Sequence, residues 1–433
     1  MIASLSLGLN NDPRHFYFHE DHIVSAVTLQ GWPEEAQSDP TLAAEAAREA
    51  LDRWVSLGVP VRHSDGQRLF DIGHILNFMR LSGLEGRDPV FPLRTIPIGR
   101  RVTAGAMTLP PPTDGPNLHT PRRFRLKLRR EFNLAEQPPG KMVRLRLPLP
   151  YEDPTQRDID VTIKQAGAMG TCSERCPGRL EVRLPVPTDG STVSVEADIS
   201  FTAFQQRGGF QDISAVPDRL VDSDRDLFLR PREGLIQVTP SVRRLAAELA
   251  KQSADARSIV NAFWSFFFRE LKNGYIHHDE LDRDDPLIDI VRRGWFDCLG
   301  GASLFIALCR ARGIPARLIH GVILHELTPA FHFWAEVYLP PEGWIPIDLV
   351  SWDHAEGRLD VDPWSHLFLG RLEYRLKCQC FPRVVVGPTG VRFPRAWSVL
   401  LTPVPGGTTM SIYDALTHRV LYRDTLCLAR VGA

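Results

Sequence analysis

The sequence predicts an α+β protein whose strands are mostly antiparallel. Three observations carry this prediction. Between residues 101 and 230, apolar and polar residues alternate with a period of two, as in strands with one solvated face. After residue 240 the period becomes that of amphipathic helices, and short strand-like runs return between residues 316 and 349. The chain has 433 residues, too many for one hydrophobic core, so we expect two or three domains.

The N-terminal region, residues 1–100, is predicted to be partly helical. The Ala-rich segment from Pro40 to Leu57 favours a helix, and a second helix is expected from Ile72 to Leu81. No pattern in this region indicates a particular chemistry.

The second region, residues 101–230, is predicted to be an antiparallel β-sandwich domain. Its alternating runs are separated by clusters of Pro, Gly and Asp. The runs begin at Phe124, Val143, Ile159, Leu180 and Val193. The basic run from Arg122 to Arg130 places several charges on the outer face of its strand, so a solvated surface is a better interpretation than an anion site.

The third region, residues 240–385, is predicted to be a compact core of helices and strands. Helical patterns run from Val242 to Leu249 and from Ile259 to Leu271. In a last region, residues 386–433, strands are expected at Trp397–Thr402 and Val420–Val431.

Composition and charge exclude several classes of partner. Hydrophobic residues make up 43% and charged residues 24%, and the formal net charge of -1 gives no attraction toward nucleic acid or acidic membranes. The first residues resemble no signal peptide, and no run of about 18 apolar residues occurs. Seven cysteines, an odd number, favour free thiols in a reducing compartment. We therefore expect a cytoplasmic protein with no nucleic-acid or membrane partner.

Two cysteines of the third region, Cys298 and Cys309, have different predicted roles. An apolar stripe with helical spacing follows Cys298, at Ala302, Phe305, Ile306 and Cys309. Gly313 stands at the expected helix C-cap, so the helix should run from about residue 298 to 312. Cys309 lies on the buried stripe and is interpreted as a core residue.

Cys298 falls in the first turn of this helix, which makes it a candidate nucleophile. The helix dipole there favours a thiolate, and the backbone amide of Cys298 is a candidate oxyanion donor. Gly300 and Gly301 indicate either close approach by another backbone or by substrate, or a frayed helix start. The adjacent Asp297 raises a thiol pKa, so a nucleophile here needs a cationic partner.

A partner is predicted in the hairpin between Phe331 and Asp348. A four-residue loop would place His332 and Asp348 on opposite faces. A three-residue loop pairs Leu339 with Gly343 and places His332 diagonally beside Asp348, as a base and its orienting carboxylate. Asp353 is the alternative carboxylate if the register differs.

The sequence does not favour a metal site. Four thiols offer a possible zinc site, Cys172, Cys176, Cys378 and Cys380, but their spacings are unusual for zinc and free thiols are the simpler interpretation. The run His277-His278-Asp279-Glu280 has suitable ligand types. Adjacent residues seldom bind one ion together, so we interpret it as a polar loop and expect no metal.

Three motifs of the third region resemble the transglutaminase-like superfamily in its bacterial form, over roughly residues 240–385. They are Asp-Cys followed by Arg-Ala-Arg-Gly-Ile-Pro-Ala-Arg, then His-Phe-Trp-Ala-Glu-Val-Tyr, then Gly-Trp-Ile-Pro-Ile-Asp. The resemblance implies that Cys298 is the nucleophile, His332 the base and Asp348 the orienting acid. The sequence departs from many relatives in having Phe296-Asp297-Cys298 where they carry Gly-x-Cys.

Further residues are assigned by the same resemblance. Tyr275 resembles an aromatic residue that precedes the nucleophile in many relatives. It is a candidate for contact with substrate or the oxyanion, or equally a core residue. Trp295 and Trp334 are candidates on chemical grounds and not from the resemblance, and for them, as for Trp344, core packing is the favoured interpretation. The run Leu147 to Pro150 followed by Gln156 is similar to the β-sandwich domain that often precedes such a core.

The resemblance also implies a fold and a reaction. The fold is papain-like, with a helix-borne Cys packed on an antiparallel sheet, and it needs no cofactor. A peptide, protein or amide substrate forms a thioester on Cys298, and water or a primary amine resolves it. We expect hydrolysis, as in a protease or amidase, with an amine-accepting transglutaminase or amide-forming enzyme as the alternative. A non-catalytic protein-binding module is a third interpretation, against which the intact Cys, His and Asp set argues.

Overall fold

The structure, a computed structural model, combines helices with antiparallel sheets, so the mixed α and β prediction is confirmed. It describes residues 18–20, 40–71, 73–75, 77, 118–165, 172–176, 178–189, 192–207, 220–324, 329–350, 370–372, 374–382, 397–414 and 420–431. Its α-helices are α1 (Pro40–Ser56), α2 (Asp222–Phe228), α3 (Pro240–Leu249), α4 (Ala256–Glu270), α5 (Pro286–Arg293) and α6 (Cys298–Ala311). None of these described helices is long and apolar enough to cross a membrane.

The strands fall into three groups along the chain. In the N-terminal part they are β1 (Phe18–His19), β2 (Arg62–Ser64) and β3 (Gln67–Phe70). The β-rich part contains β4 (Leu118–Asn133), β5 (Met142–Pro148), β6 (Gln156–Gln165), β7 (Cys172–Cys176), β8 (Arg179–Pro185) and β9 (Thr192–Arg207). From residue 232 onward they are β10 (Arg232–Glu233), β11 (Ile236–Gln237), β12 (Lys272–Asn273), β13 (Trp295–Phe296), β14 (Ala316–Ile323), β15 (Ala330–Leu339), β16 (Gly343–Ile347), β17 (Arg371–Leu372), β18 (Arg375–Cys380), β19 (Trp397–Val404), β20 (Gly407–Asp414) and β21 (Val420–Arg430).

The large antiparallel sheet has the order β17–β9–β4–β21–β20–β19, with β6 also paired to β9. A smaller sheet, β5–β8–β7, shares one hydrophobic cluster with it, because buried residues alternate along β4 and along β5. All five alternating runs predicted from the sequence are strands. Their assembly as a separate β-sandwich domain stays a prediction.

The C-terminal strands extend the same large sheet. Leu426 of β21 pairs with Leu128 of β4, and the carboxylate of Asp424 accepts two hydrogen bonds of 2.6 Å from the guanidinium of Arg130. Asp424 is fully buried, so this pair fastens the last strand of the chain to β4. The two strands predicted here are confirmed, and β20 between them was not predicted. The four domain boundaries stay a prediction.

The region after residue 240 is built on a four-stranded antiparallel sheet with the order β16–β15–β14–β18. Helix α6 packs on β14 and β15, and α3, α4 and α5 surround it. Every residue of α6 from Leu299 to Arg310 is buried, including Cys309, whose predicted role in the core is confirmed. The helix ends within one residue of the predicted end, and Gly313 follows with φ of +75°.

Polar contacts join the β-rich part to the four-stranded sheet. The side chain of Gln156 donates to the backbone oxygen of Lys377 at 2.8 Å and accepts from its backbone nitrogen at 2.5 Å. Lys377 Nζ also lies 2.8 Å from the carboxylate of Glu336 on β15, and both side chains are fully buried. Because buried charges need partners, this network fixes the position of β18.

In the N-terminal part, α1 matches the prediction for Pro40 to Leu57. Strands β1 and β2 flank β3. The second predicted helix, Ile72 to Leu81, lies mostly outside the described residues, although residues 73–75 and 77 are helical.

Candidate active site

Helix α6 begins at Cys298 because Asp297 caps it. The Asp297 carboxylate accepts a hydrogen bond of 2.6 Å from the backbone amide of Gly300. The two glycines of the first turn are needed for packing against side chains: a Cβ at Gly301 would lie 2.4 Å from the Phe296 ring, and one at Gly300 would lie 2.9 Å from Ile290. The first turn is regular helix, so the expected frayed start was wrong, whereas close approach by substrate at these glycines stays a prediction.

The half-buried Cys298 thiol lies against strand β15. Its sulfur accepts hydrogen bonds from the backbone amides of Phe333 and Leu299. Phe333 follows His332 directly in β15, so the packing of α6 on this strand brings the candidate nucleophile to the strand that carries the candidate base.

The surroundings of Cys298 keep its thiol protonated. Burial raises the pKa of the Cys298 thiol well above its usual value, and the Asp297 carboxylate raises it further. The hydrogen bonds from Phe333 and Leu299 act in the opposite direction and are outweighed. The predicted effect of Asp297 on the pKa of the Cys298 thiol thus has the expected direction, and burial adds to it. A reaction at this sulfur therefore requires a base that removes the proton.

The β15–β16 hairpin has the predicted register. Leu339 pairs with Gly343 across a three-residue loop, and Ala335 pairs with Ile347 at the other end of the ladder. Gly343 adopts φ of +79°, which a residue without a side chain tolerates best. Asp348 follows β16 directly, one position beyond the last pair, on the same side as His332.

His332 and Asp348 are in direct contact. Nε2 of His332 lies 3.0 Å from each carboxylate oxygen of Asp348. Only 4% of His332 and none of Asp348 is exposed. Since an ionised carboxylate can only accept, the network assigns the imidazole proton to Nε2, which leaves Nδ1 as the nitrogen with a free lone pair.

Two further donors hold the Asp348 carboxylate. Nη2 of Arg375, on β18, donates to one oxygen at 3.1 Å, and the backbone amide of Val350 donates to the other at 3.1 Å. Sequence reasoning missed Arg375, because it lies on a distant strand that reaches the hairpin only through the pairing of β18 with β14. Its one signal is the alternation along β18, where Arg375, Lys377 and Gln379 are separated by Leu376 and Cys378.

A family model described as the transglutaminase-like superfamily matches residues 243–349. Residues 243–349 are a transglutaminase-like domain. It contains Cys298, His332 and Asp348 together with the whole β15–β16 hairpin. Arg375, which donates a hydrogen bond to Asp348, lies outside the matched segment.

Known proteins resemble parts of this chain. A protein-glutamine gamma-glutamyltransferase of Pseudomonas aeruginosa is 32% identical over 156 residues, which cover 32% of this chain and 23% of that protein. The chain thus spans less than a quarter of this relative's length. A solved protein of Cytophaga hutchinsonii, described as a candidate cysteine protease, has a TM-score of 0.47 and 15% identity, covering 73% of this chain and 93% of its own. The periplasmic domain of TgpA from Pseudomonas aeruginosa has a TM-score of 0.31 and 18% identity, covering 55% and 90%.

The three aromatic candidates occupy different positions around the transglutaminase-like domain. Trp334 is 1% exposed, and its ring is stacked beside that of His332 with centroids 6.3 Å apart. Trp295 is half-buried and covers Gly274, and the backbone of the half-buried Tyr275 is held by the side chain of Asn77. In this arrangement Trp334 supports the imidazole from within the core. Roles for Tyr275 and Trp295 in substrate or oxyanion contact stay predictions.

The polar loop at His277 and His278 is more organised than predicted. His278 is buried, and its Nε2 lies 2.6 Å from Oδ2 of Asp297, the residue that caps α6. His277 points instead toward Asp71 of the N-terminal part, with Nε2 of the histidine 3.2 Å from Oδ2 of the carboxylate. The adjacent histidines therefore serve two different clusters, which local spacing does not reveal.

Asp353, the alternative carboxylate, lies outside the described residues. Cys378 and Cys380 are buried in β18, whereas the side chains of Cys172 and Cys176 lie outside what the structure describes.

Proposed function

We propose that the protein catalyses acyl transfer at amide bonds through a thioester on Cys298. The observation that carries this proposal is the arrangement at β15: the Cys298 sulfur lies beside Phe333, and the preceding His332 is oriented by the buried Asp348. A nucleophile, a base and a group that fixes the base are the requirements for covalent acyl transfer.

The first half of the reaction forms the thioester. The sulfur of Cys298 attacks the carbonyl carbon while Nδ1 of His332 takes the thiol proton. The backbone amide of Cys298 stabilises the negative oxygen of the tetrahedral intermediate. The carbon–nitrogen bond then breaks, and His332 returns the proton to the leaving amine. A neutral resting thiol fits this order of events, because proton removal and attack are coupled.

The second half releases the acyl group. Water attacks the thioester carbon and gives a proton to His332, the carbon–sulfur bond breaks, and the proton returns to Cys298. The imidazolium that forms in both halves is stabilised by the Asp348 carboxylate. With water as the acceptor the protein is a protease or amidase.

Transfer to a primary amine is the second candidate. It is favoured by the name of the Pseudomonas aeruginosa relative, a protein-glutamine gamma-glutamyltransferase. The same steps apply, with the amine in place of water. The proposal includes a papain-like core in which α6 carries the nucleophile, a preceding β-sandwich domain and a cytoplasmic location.

The test is mass spectrometry of a peptide library incubated with the protein and a mixed pool of primary amines. Cys298→Ala removes the proposed nucleophile. Cys427→Ser is the control, because Cys427 is a free thiol on β21, a strand of the large sheet and not of the four-stranded sheet that contains the hairpin.

Shortened or deamidated peptides support hydrolysis, and amine adducts support transfer, provided that Cys298→Ala abolishes them and Cys427→Ser does not. Products that persist in Cys298→Ala contradict the proposal. A complete absence of products from the folded wild type favours the third interpretation, a binding module with a vestigial triad.

A further inference from the structure

A second polar cluster lies where the N-terminal part meets the transglutaminase-like domain. Asp71 follows β3, and His74 lies on the helical turn after it. His277 lies in the segment between β12 and α5. One potential ligand atom from each of the three side chains lies within 4.8 Å of the other two. Asp71 is 1% exposed, and both histidines are partly buried.

The carboxylate of Asp71 is the feature that points to a cation. Its Oδ1 accepts a hydrogen bond of 2.9 Å from the backbone amide of His74. Its Oδ2 is buried and accepts no aligned hydrogen bond from any described residue, although Nε2 of His277 lies 3.2 Å away. A buried carboxylate oxygen requires a positive partner, and a metal ion between the oxygen and the imidazoles meets that need.

The chemistry of the three ligands selects the type of ion. Two imidazole nitrogens and one carboxylate oxygen suit divalent transition metals, and Zn²⁺ in particular accepts these three with a water in the fourth position. Tetrahedral Zn²⁺ places neighbouring ligand atoms about 3.3 Å apart, since its bonds are about 2.0–2.1 Å long. The ligand atoms of Asp71 and His277 are 3.2 Å apart and already have this separation. The other two separations are no longer than 4.8 Å, so they need to shorten by at most about 1.5 Å.

We infer that Asp71, His74 and His277 bind one divalent transition-metal ion, best matched by Zn²⁺. The N-terminal part is not covered by the matched domain, yet it supplies two of the three ligands. This site is separate from the proposed reaction at Cys298 and does not depend on it.

The ion would fasten the N-terminal part to the segment that precedes the nucleophile. Asn77 already bonds this segment twice, accepting from the backbone amide of Tyr275 at 2.8 Å and donating to its oxygen at 3.0 Å. His278, next to the ligand His277, contacts Asp297, the N-cap of α6. A metal at His277 therefore lies two contacts away from the first turn of the helix that carries Cys298.

The test measures Zn²⁺ binding to the Cys298→Ala protein, in which the candidate nucleophile cannot bind metal. After treatment with a chelator, calorimetric titration with Zn²⁺ should show one tight site per chain. His74→Gln and His277→Gln should each lower the affinity for Zn²⁺ by more than about 100-fold, since the loss of a residue that only supports a ligand already lowers metal affinity by about 10–100-fold. His63→Gln, which removes an exposed histidine of β2, is the matched control and should leave the affinity unchanged.

Thermal unfolding adds a second readout. Zn²⁺ should raise the midpoint of the Cys298→Ala protein and of its His63→Gln form, but not that of the His277→Gln form. Should a ligand variant fail to fold, X-ray absorption at the zinc edge of the Cys298→Ala protein decides. A spectrum that shows zinc bound by two imidazoles and by no sulfur supports the site. A sulfur shell, the absence of a tight site, or equal binding by His277→Gln overturns it.

Discussion

His332 and Asp348 face each other at the buried end of the β15–β16 hairpin, with Nε2 of the histidine 3.0 Å from both oxygens of the carboxylate. This contact fixes the ring and leaves Nδ1 as the basic nitrogen. The three-residue loop sets the register that places Asp348 opposite Trp334, and His332 lies two residues from Trp334 on the same face of β15.

Replacing Asp348 by Asn should lower kcat by roughly 100- to 10,000-fold while KM changes little. The amide no longer stabilises the imidazolium and no longer selects the Nε2 proton. Steady-state kinetics on a substrate found by the peptide library provide the measurement, and thermal unfolding reports whether the variant is folded. A folded variant with unchanged kcat would contradict the assigned role of Asp348.

Arg375 is predicted to be a positioning residue that acts through Asp348. Arg375→Gln should lower kcat by about 10- to 100-fold, comparable to the loss of other supporting partners of a catalytic group. Arg375→Lys keeps the positive charge and should recover part of that loss. If Arg375 has only a structural role, both variants should be less stable, and kcat of the folded protein should not change.

The charge of Asp297 should set the pH at which Cys298 reacts. Asp297→Asn keeps a good N-cap for α6 and removes the carboxylate that raises the pKa of the Cys298 thiol. The rate of alkylation of Cys298 by iodoacetamide, followed by peptide mass spectrometry, should therefore reach its midpoint at a lower pH in this variant. An unchanged midpoint would show that burial alone controls the thiol.

His320 is predicted to make the fold sensitive to acid. Its ring lies between Phe331 and Phe333, with centroids 5.1 and 4.6 Å away, and burial lowers the pKa of His320 to about 3. An unfolded chain has a histidine pKa of about 6.5 and binds the extra proton first, so stability is present above pH 6.5 and is lost as the pH falls toward 3.

Replacing His320 by Gln should reduce this loss. Between pH 7 and pH 5, the wild type should lose about 2 kcal/mol more unfolding free energy than His320→Gln. Urea unfolding at the two pH values measures the difference. Equal losses would mean that folding does not lower the pKa of His320.

Much of the fold follows from local patterns in the sequence. The alternating runs beginning at Phe124 and Val193 became long strands, and the helix starting at Cys298 ends where Gly313 and Pro315 predict. The hairpin that joins His332 to Asp348 was also predictable, because one loop length permits the contact. These features depend on spacing within a few residues or on one turn.

Features that depend on distant pairing were not predictable in the same way. Arg375 reaches Asp348, and Asp424 reaches Arg130, only after strands from separate parts of the chain have paired. The raised pKa of the Cys298 thiol likewise depends mainly on burial, which exists only once α6 is packed. His277 drew attention as a ligand type, but its partners Asp71 and His74 lie some two hundred residues earlier, in a region without any chemical pattern.

If Cys298 is a nucleophile activated by His332, it should be acylated rapidly by a small activated ester such as 4-nitrophenyl acetate. Peptide mass spectrometry then compares acetylation of Cys298 with that of Cys427, a second free thiol, which lies on β21. We predict that Cys298 is acetylated much faster than Cys427 and that His332→Ala slows the reaction at Cys298 alone. Equal rates at the two thiols, or no effect of His332→Ala, would contradict the account.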